Sequence, residues 1–545
     1  MVAGVDAIFR GGRVFTGEGP PRELVVAVAA GRIVAVGDDG VADLSGASTR
    51  DIDVTGGLLL PGFTDAHVHP VQGGLERMRC DLSELSDRDA YLGAVRSYAR
   101  AHPEQEWITG GGWGMAAFPG GAPQAVDLDA IVPDRPVFLP NRDHHGAWVN
   151  SRAMDLAGMD AQTPDPCDGR IERAADGRPT GTLHEGAMTL VGRLLPPTTH
   201  ADHVAALLDA QAHLHSLGIT AWQDAILGAY ANIGDVADAY LETARDGRLT
   251  ARVVGALWWD RGRGAEQIPE LAARREELHA GRFRATSVKI MQDGIAENFT
   301  AGMVEPYLDS CGCSTLNRGL SFVEPELLRG YVVGLDAVDF QVHVHAIGDR
   351  AVRESLDAFA AARDGNGARD ARHHIAHIQV IHPEDLARFA ELGVVANMQP
   401  LWAAHEPQMD EMTIPFLGPE RTGWQYPFGS LHRTGAQLAA GSDWPVSSPD
   451  PLAGIHVAVN RRQPGAGDEV GAFLLDEALD LGTALSAYTR GSAYVNHADD
   501  TGRIEVGALA DLVVLDRDPF AAPVTEIASA RVVATYVEGR EVYSA

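Results

Sequence analysis

ADHVAALLDAQAHLHSLGITAWQD, residues 201–224, carries two periodicities in one stretch. Val204, Leu207, Leu208, Leu214 and Leu217 recur near helical spacing, Gly218 is a good helix stop, and a short apolar run follows at once. A helix handing directly to an apolar strand is the unit of an α/β protein. Further apolar runs follow downstream: TARVVGALWW (250–259), ATSVKIMQDG (285–294), DFQVHVHAIGD (339–349), RHHIAHIQV (372–380), GVVANMQP (393–400) and QLAAGSDWPV (437–446). Apolar strands alternating with helical stretches predict a parallel sheet covered by helices. Their number suits a TIM-like (β/α)8 barrel, which presents its reactive side chains at the C-terminal ends of its strands.

The two chain ends have a different texture. Phe9 and Val14-Phe15 flank a Gly11-Gly12 turn, residues 24–37 repeat the pattern around Gly31, and residues 510–516 and 531–544 do the same around Glu538-Gly539. One small β-sandwich closed by both termini is the simplest reading; two unrelated β-decorations are the other. Residues 71–200 also break the barrel's beat, with Gly- and Pro-rich turns at 110–114, 118–124 and 163–169. The expected division is 1–60 with 500–545 for the sandwich and 61–70 with 201–499 for the barrel. Residues 71–200 are expected to form an inserted subdomain covering the active site.

The 545 residues include 44 Lys and Arg against 75 Asp and Glu, a net charge of −31. Such a surface repels phosphate backbones and anionic lipid, so a nucleic-acid or membrane role is not expected. No apolar window approaches the ~20 residues of a membrane span, and residues 1–15 have no leader-like apolar core. Cys80, Cys167, Cys311 and Cys313 are too few for a disulfide framework. The expectation is a cytoplasmic protein acting on a small molecule, with a homodimer as the partner state considered. Of the 44 basic residues only Lys289 is lysine.

Chemistry gathers at the ends of the predicted strands. In LLLPGFTDAHVHP (58–70), His67 and His69 are two apart on a strand, so both imidazoles face one way and can grip one divalent ion. A hydrogen-bonded pair of buried histidines is the alternative. His345 and His377 end two later strands, and Asp443 follows another, where a carboxylate can bind metal and accept a proton. His343 lies one layer deeper than His345 and reads as a packed core histidine; His374 falls on the face opposite His377. Lys289 lies on an apolar strand among these groups. A protonated ammonium is repelled by metal ions, whereas a lysine amine that has captured CO2 becomes an anionic carbamate able to bridge two cations, a role closed to arginine. A lysine in an ordinary salt bridge is the other reading. Trp113, Trp402 and Trp444, near turns or strand ends, are candidates for an aromatic pocket, Trp402 foremost, against a plain core role.

Together these segments resemble the amidohydrolase superfamily, in its YtcJ-like family 3 branch, which includes N-substituted formamide deformylases. PGFTDAHVHP (61–70) is similar to the superfamily's first-strand signature. RDHHGAWVNSRAM (142–154), GRPTGTLHEGA (177–187), HSLGITAWQD (215–224), VHAIGDRAV (344–352) and GSDWPV (441–446) resemble the branch's own blocks, and residues 503–519 its closing segment. The resemblance implies a binuclear centre with His67, His69 and Asp443 at one ion, His345 and His377 at the other, and carboxylated Lys289 bridging. The ions would be two divalent metals, zinc foremost, with manganese, iron or cobalt also suited to the donors. His145 aligns with a branch-typical histidine and is a candidate substrate contact. MQDGIAENFTAG (291–302) departs from the branch at Glu297-Asn298, which bears on the substrate pocket. The implied reaction is hydrolysis of an amide-type C–N bond, with Asp443 as general base and acid. Ester or cyclic-amide hydrolysis, decarboxylation at the same site, or a non-catalytic metal-binding scaffold are the competing functions.

Overall fold

Gly218 stops the helix His200–Ser216 at φ +82°, and the chain passes directly into a barrel strand. Thr199 and Asp202 close the other end of that helix with a reciprocal capping box. Val204, Leu207 and Leu214 are buried, while Leu208 and Leu217 are half-buried. The computed structural model describes residues 4–230, 233–467 and 469–545.

The barrel strands are β1 (Phe63–Val68), β2 (Ile219–Leu227), β3 (Arg252–Trp258), β4 (Phe283–Met291), β5 (Gln341–Ala346), β6 (His374–His377), β7 (Val395–Met398) and β8 (Leu438–Ala440). Each pairs in parallel with the next in sequence. This is the order a right-handed series of crossovers produces. The sheet is nearly closed, and the residues just past β8 complete the seam: Asp443 N–H donates to the His67 carbonyl at 2.8 Å and His69 N–H to the Trp444 carbonyl at 2.9 Å. Gly441 permits this approach, since a Cβ there would lie 2.6 Å from the His67 backbone nitrogen. The strands are buried along nearly their whole length, as expected of a sheet covered by helices.

Two further sheets contain the chain ends. One orders strands Arg32–Gly37, Val25–Ala29, Ala7–Arg10 and Arg50–Asp53. The other joins C-terminal strands to N-terminal ones, with Leu512–Leu515 antiparallel to Leu58–Pro61. Phe9, Val26, Leu59, Leu512 and Tyr536, drawn from both sheets, share one apolar core. The last of these strands before the barrel leads directly into β1.

Between β1 and β2 the chain builds a mixed six-stranded sheet from Cys80–Asp81 to Pro179–Glu185, with apolar cores of its own. One of these corrects the expectation for Trp113. Its indole is only 1% exposed, packs edge-on against Phe118 and donates Nε1–H to the Leu139 carbonyl at 2.8 Å. It is a core residue of the inserted unit and does not line the pocket. Among the described residues no helix is long and apolar enough to cross a membrane.

Candidate metal centre

At the end of β1, alternation sends the His67 and His69 side chains to the same side, as their spacing predicts. Both Nε2 atoms reach one carboxylate oxygen, Asp443 Oδ1, at 3.1 Å and 3.0 Å. His67, His69 and Asp443 each offer a ligand atom, all within 4.8 Å of one another; among the described residues they are the only such group of three. Asp443 takes φ +57°, a left-handed conformation that costs energy for a residue with a Cβ and recurs at functional sites. Asp65 holds the turn: it accepts the N–H and Oγ–H of Ser442 at 3.0 and 2.6 Å, and the N–H of His67 at 3.1 Å.

His377 also faces this carboxylate, its Nδ1 3.9 Å from Asp443 Oδ2. That nitrogen is buried and has no hydrogen-bond partner among the described residues. The backbone at His377 also has positive φ, +78°, and its N–H is held by Gln399 Oε1 at 2.7 Å. His345 lies against His377 with ring centroids 4.4 Å apart, but its Nε2 turns toward the Gly294 carbonyl at 3.3 Å and Asp293 at 3.6 Å. Asp293 in turn accepts backbone N–H groups from Gly302, Ile347 and Gly348. The two histidines expected at a second ion are thus neighbours, without a carboxylate of their own between them.

Lys289 is almost wholly buried on β4, and its Nζ lies 3.3 Å from His67 Nε2 and 3.3 Å from His343 Nε2. Among the described residues no carboxylate comes within ion-pair distance of it. Burial pulls its pKa down to about 7, against the opposing charge of Asp443. His343, read from sequence as a packed core residue, is fully buried but also bonded into the centre: Nε2 meets His67 Nδ1 at 2.9 Å and Nδ1 meets Gln223 Oε1 at 2.7 Å. His374 pairs with Asn397 at 3.1 Å, apart from the ligand group. Burial, with the neighbouring Lys289 charge, pulls His67 down to about 3, so this imidazole is neutral and available as a ligand at pH 7. Burial pushes the Asp443 carboxyl up, but the facing His67 and His69 outweigh it and hold the group well below the usual carboxylate range.

The inserted unit adds a histidine pair at the rim. His145 Nδ1 lies 2.9 Å from Glu185 Oε1, and its ring centroid is 6.0 Å from that of His345. Burial opposes a charge on His145, yet Glu185, assisted by Asp143, raises its pKa to about 9. His144 rests between Gln72, 2.8 Å away, and Glu76, 3.2 Å away. Beside the centre opens a cavity of ≈ 530 Å³ whose wall includes Arg142, Asp143, Glu297, Trp402, Glu406 and Trp444. Trp402 stacks flat on His377, with centroids 5.4 Å apart. Gln223, Gln399 and Glu185 are not marked in the sequence because no short spacing links them to His343, His377 and His145, which lie 120, 22 and 40 residues away.

Residues 50–543 match Amidohydro_3, the amidohydrolase family. The chain is 32% identical to Protein LONG AFTER FAR-RED 3 of Arabidopsis thaliana, over 99% of this chain and 91% of that one. It is 30% identical to the Bacillus subtilis protein YtcJ, over 91% and 90%. An N-substituted formamide deformylase of Arthrobacter pascens is 27% identical over 94% of each chain. In three dimensions, an uncharacterized metal-dependent hydrolase of Pyrococcus furiosus superposes with a TM-score of 0.69 at 28% identity, over 94% of this chain and 99% of that one. The matched span takes in the barrel, the insertion and the C-terminal strands, so the chain as a whole belongs to the amidohydrolase family.

Proposed function

We propose that the protein is a metal-dependent hydrolase of an amide-type C–N bond in a small molecule, such as an N-formyl or N-acyl amine. The convergence of His67, His69 and Asp443 on one point beside a cavity carries this reading. The donors fit a divalent ion. Two imidazoles and a carboxylate suit zinc, with manganese, iron or cobalt as further options, and the unpartnered His377 Nδ1 is a fourth donor facing the same carboxylate. When bound, a divalent cation supplies Lewis acidity and lowers the pKa of water. The similarity to a formamide deformylase supports a C–N bond as the target.

Asp443 is ionised at neutral pH, so it can take a proton from the attacking water. The same carboxyl then returns the proton to the leaving nitrogen, so that water and amide become acid and amine. His145, kept cationic by Glu185, is the rim group suited to hold the carbonyl oxygen as it gains negative charge. Lys289 is the group for a carbamate: its neutral amine adds CO2 and loses a proton, giving an anion where the fold provides no carboxylate partner. Among the substrate candidates, Trp402 forms part of the cavity wall.

The test is a panel of N-formyl amines, lactones and aromatic carboxylic acids offered to the metal-reconstituted protein. Release of formate and amine, abolished by a chelator and restored by divalent metal, is expected. Turnover confined to lactones, or CO2 release from the acids, would replace the reading with ester hydrolysis or decarboxylation. Metal content below one ion per chain with no rescue would favour a scaffold. For Lys289→Ala, metal content and turnover should both fall, and a short carboxylic acid should restore part of each. Retention of both in Lys289→Arg would exclude the carbamate.

A further inference from the structure

The cavity beside the centre has a charge imbalance that the hydrolytic chemistry does not use. Asp143, Glu297 and Glu406 all face it, from the inserted unit, from the loop after β4 and from the segment after β7. Arg142 is also on the wall, but its guanidinium donates to the backbone carbonyls of Ser83 and Leu85, at 3.2 and 3.4 Å, and not to a carboxylate. Arg77, also on the wall, is paired at 2.8 Å with Asp209.

The three carboxylates differ in how far they are satisfied. Asp143 Oδ1 accepts the His145 N–H at 3.0 Å, and Glu297 Oε1 accepts the Thr413 hydroxyl at 2.7 Å. The Glu406 carboxylate has no hydrogen-bond or ion-pair partner among the described residues. Burial pushes its pKa up to about 7, with Arg142 pulling the other way and Glu297 adding to the rise. Burial raises Asp143 and Glu297 as well. All three side chains are half-buried, and a carboxylate such as Glu406, partly withdrawn from water and without a partner, is stabilised by a ligand that brings the opposite charge. The same wall includes Trp402, Trp444 and Tyr426, whose ring faces attract cations.

We infer that this cavity selects substrates bearing a cationic amine remote from the scissile acyl group, with the ammonium held by Glu406 and Glu297 and its alkyl chain against Trp402 and Trp444. The substrate class is the mono-acylated diamine and related basic amines, and N-acyl amino acids, which carry a carboxylate, are excluded. The inference deepens the hydrolase reading and rests on it for the bond that is cut. It also accounts for Glu297, which departs from the branch's usual sequence.

Three isosteres test it: N-(5-aminopentyl)formamide, N-hexylformamide and 6-formamidohexanoate. With the metal-loaded protein, kcat/KM should be at least about ten-fold higher for the cation than for the neutral compound, and higher again than for the anion. Glu406→Gln and Glu297→Gln should each shrink the cation-to-neutral ratio by about ten-fold, mainly through KM. Calorimetry with pentyltrimethylammonium and hexanoate provides a readout independent of turnover: the cation should bind more tightly, and Glu406→Gln should weaken it. Cation binding without turnover of any formamide would remove the hydrolase reading and leave the cation site standing. Equal treatment of cation and anion, or a ratio unchanged in both variants, overturns the inference.

Discussion

Trp113, Phe118 and Trp148 in the inserted unit and His67, His345 and His377 at the barrel mouth are both clusters of buried rings, built by opposite rules. In the first, every ring is apolar in bulk, and each indole N–H has found a carbonyl, Leu139 for Trp113 and Gln124 for Trp148. In the second, imidazoles crowd an amine and a carboxylate, Asp443 and His377 hold left-handed backbone, and His377 Nδ1 has no partner. The first cluster serves stability. The second gives up local stability to hold donors in place, which is where proteins break their own packing rules.

The largest effect that sharpens this contrast is expected at Asp443. Asparagine tolerates the same left-handed backbone, so Asp443→Asn should keep the fold while kcat falls by roughly 10³–10⁴-fold. Steady-state kinetics with metal analysis and circular dichroism check it, and near-wild-type turnover would take the proton-transfer role away from this residue. Next in size, Trp113→Ala should lower stability by about 3–5 kcal/mol through a cavity in the inserted core. Well below the variant's melting point, its kcat/KM should stay within a few-fold of wild type; a selective rise in KM with unchanged stability would return Trp113 to the substrate pocket.

The smallest effect tests the join between the two regions, the His145–Glu185 pair. His145 titrates near 9 in the folded protein, above its ordinary value near 6.5. Its pairing therefore contributes stability in full below about pH 6.5 and loses it as pH rises through about 9. Glu185→Gln should destabilise by about 1–3 kcal/mol at pH 6, and the difference should narrow by pH 9.5, as read from urea midpoints at the two values. A difference independent of pH would mean that the pair carries no charge.

The parts of the centre legible in the sequence share one property. His67, His69 and Asp443 each sit where an apolar run ends, and period-two alternation says which way a strand side chain points, so their convergence needed only the barrel. Lys289 stood out by composition, as the lone lysine among arginines. His343 is buried as alternation predicts, one layer below His345, but alternation does not show that Lys289 and His67 reach down to it. For Trp113 the sequence leaves pocket and core open, because a tryptophan beside glycines looks the same in either place. Glu297 was marked as a departure, yet nothing local showed that Glu406, over a hundred residues later, would share its cavity.

The sequence by itself determined the strand–helix alternation, the strand ends that carry ligands and the change of texture at 71–200, because these depend on periodicity and on residues a few positions apart. The tertiary structure alone decided which histidine meets which carboxylate, that Glu185 keeps His145 charged, and that Asp143, Glu297 and Glu406 share one cavity. Burial, desolvation and pairing are properties of groups brought together from distant strands, and only a closed barrel sets those distances.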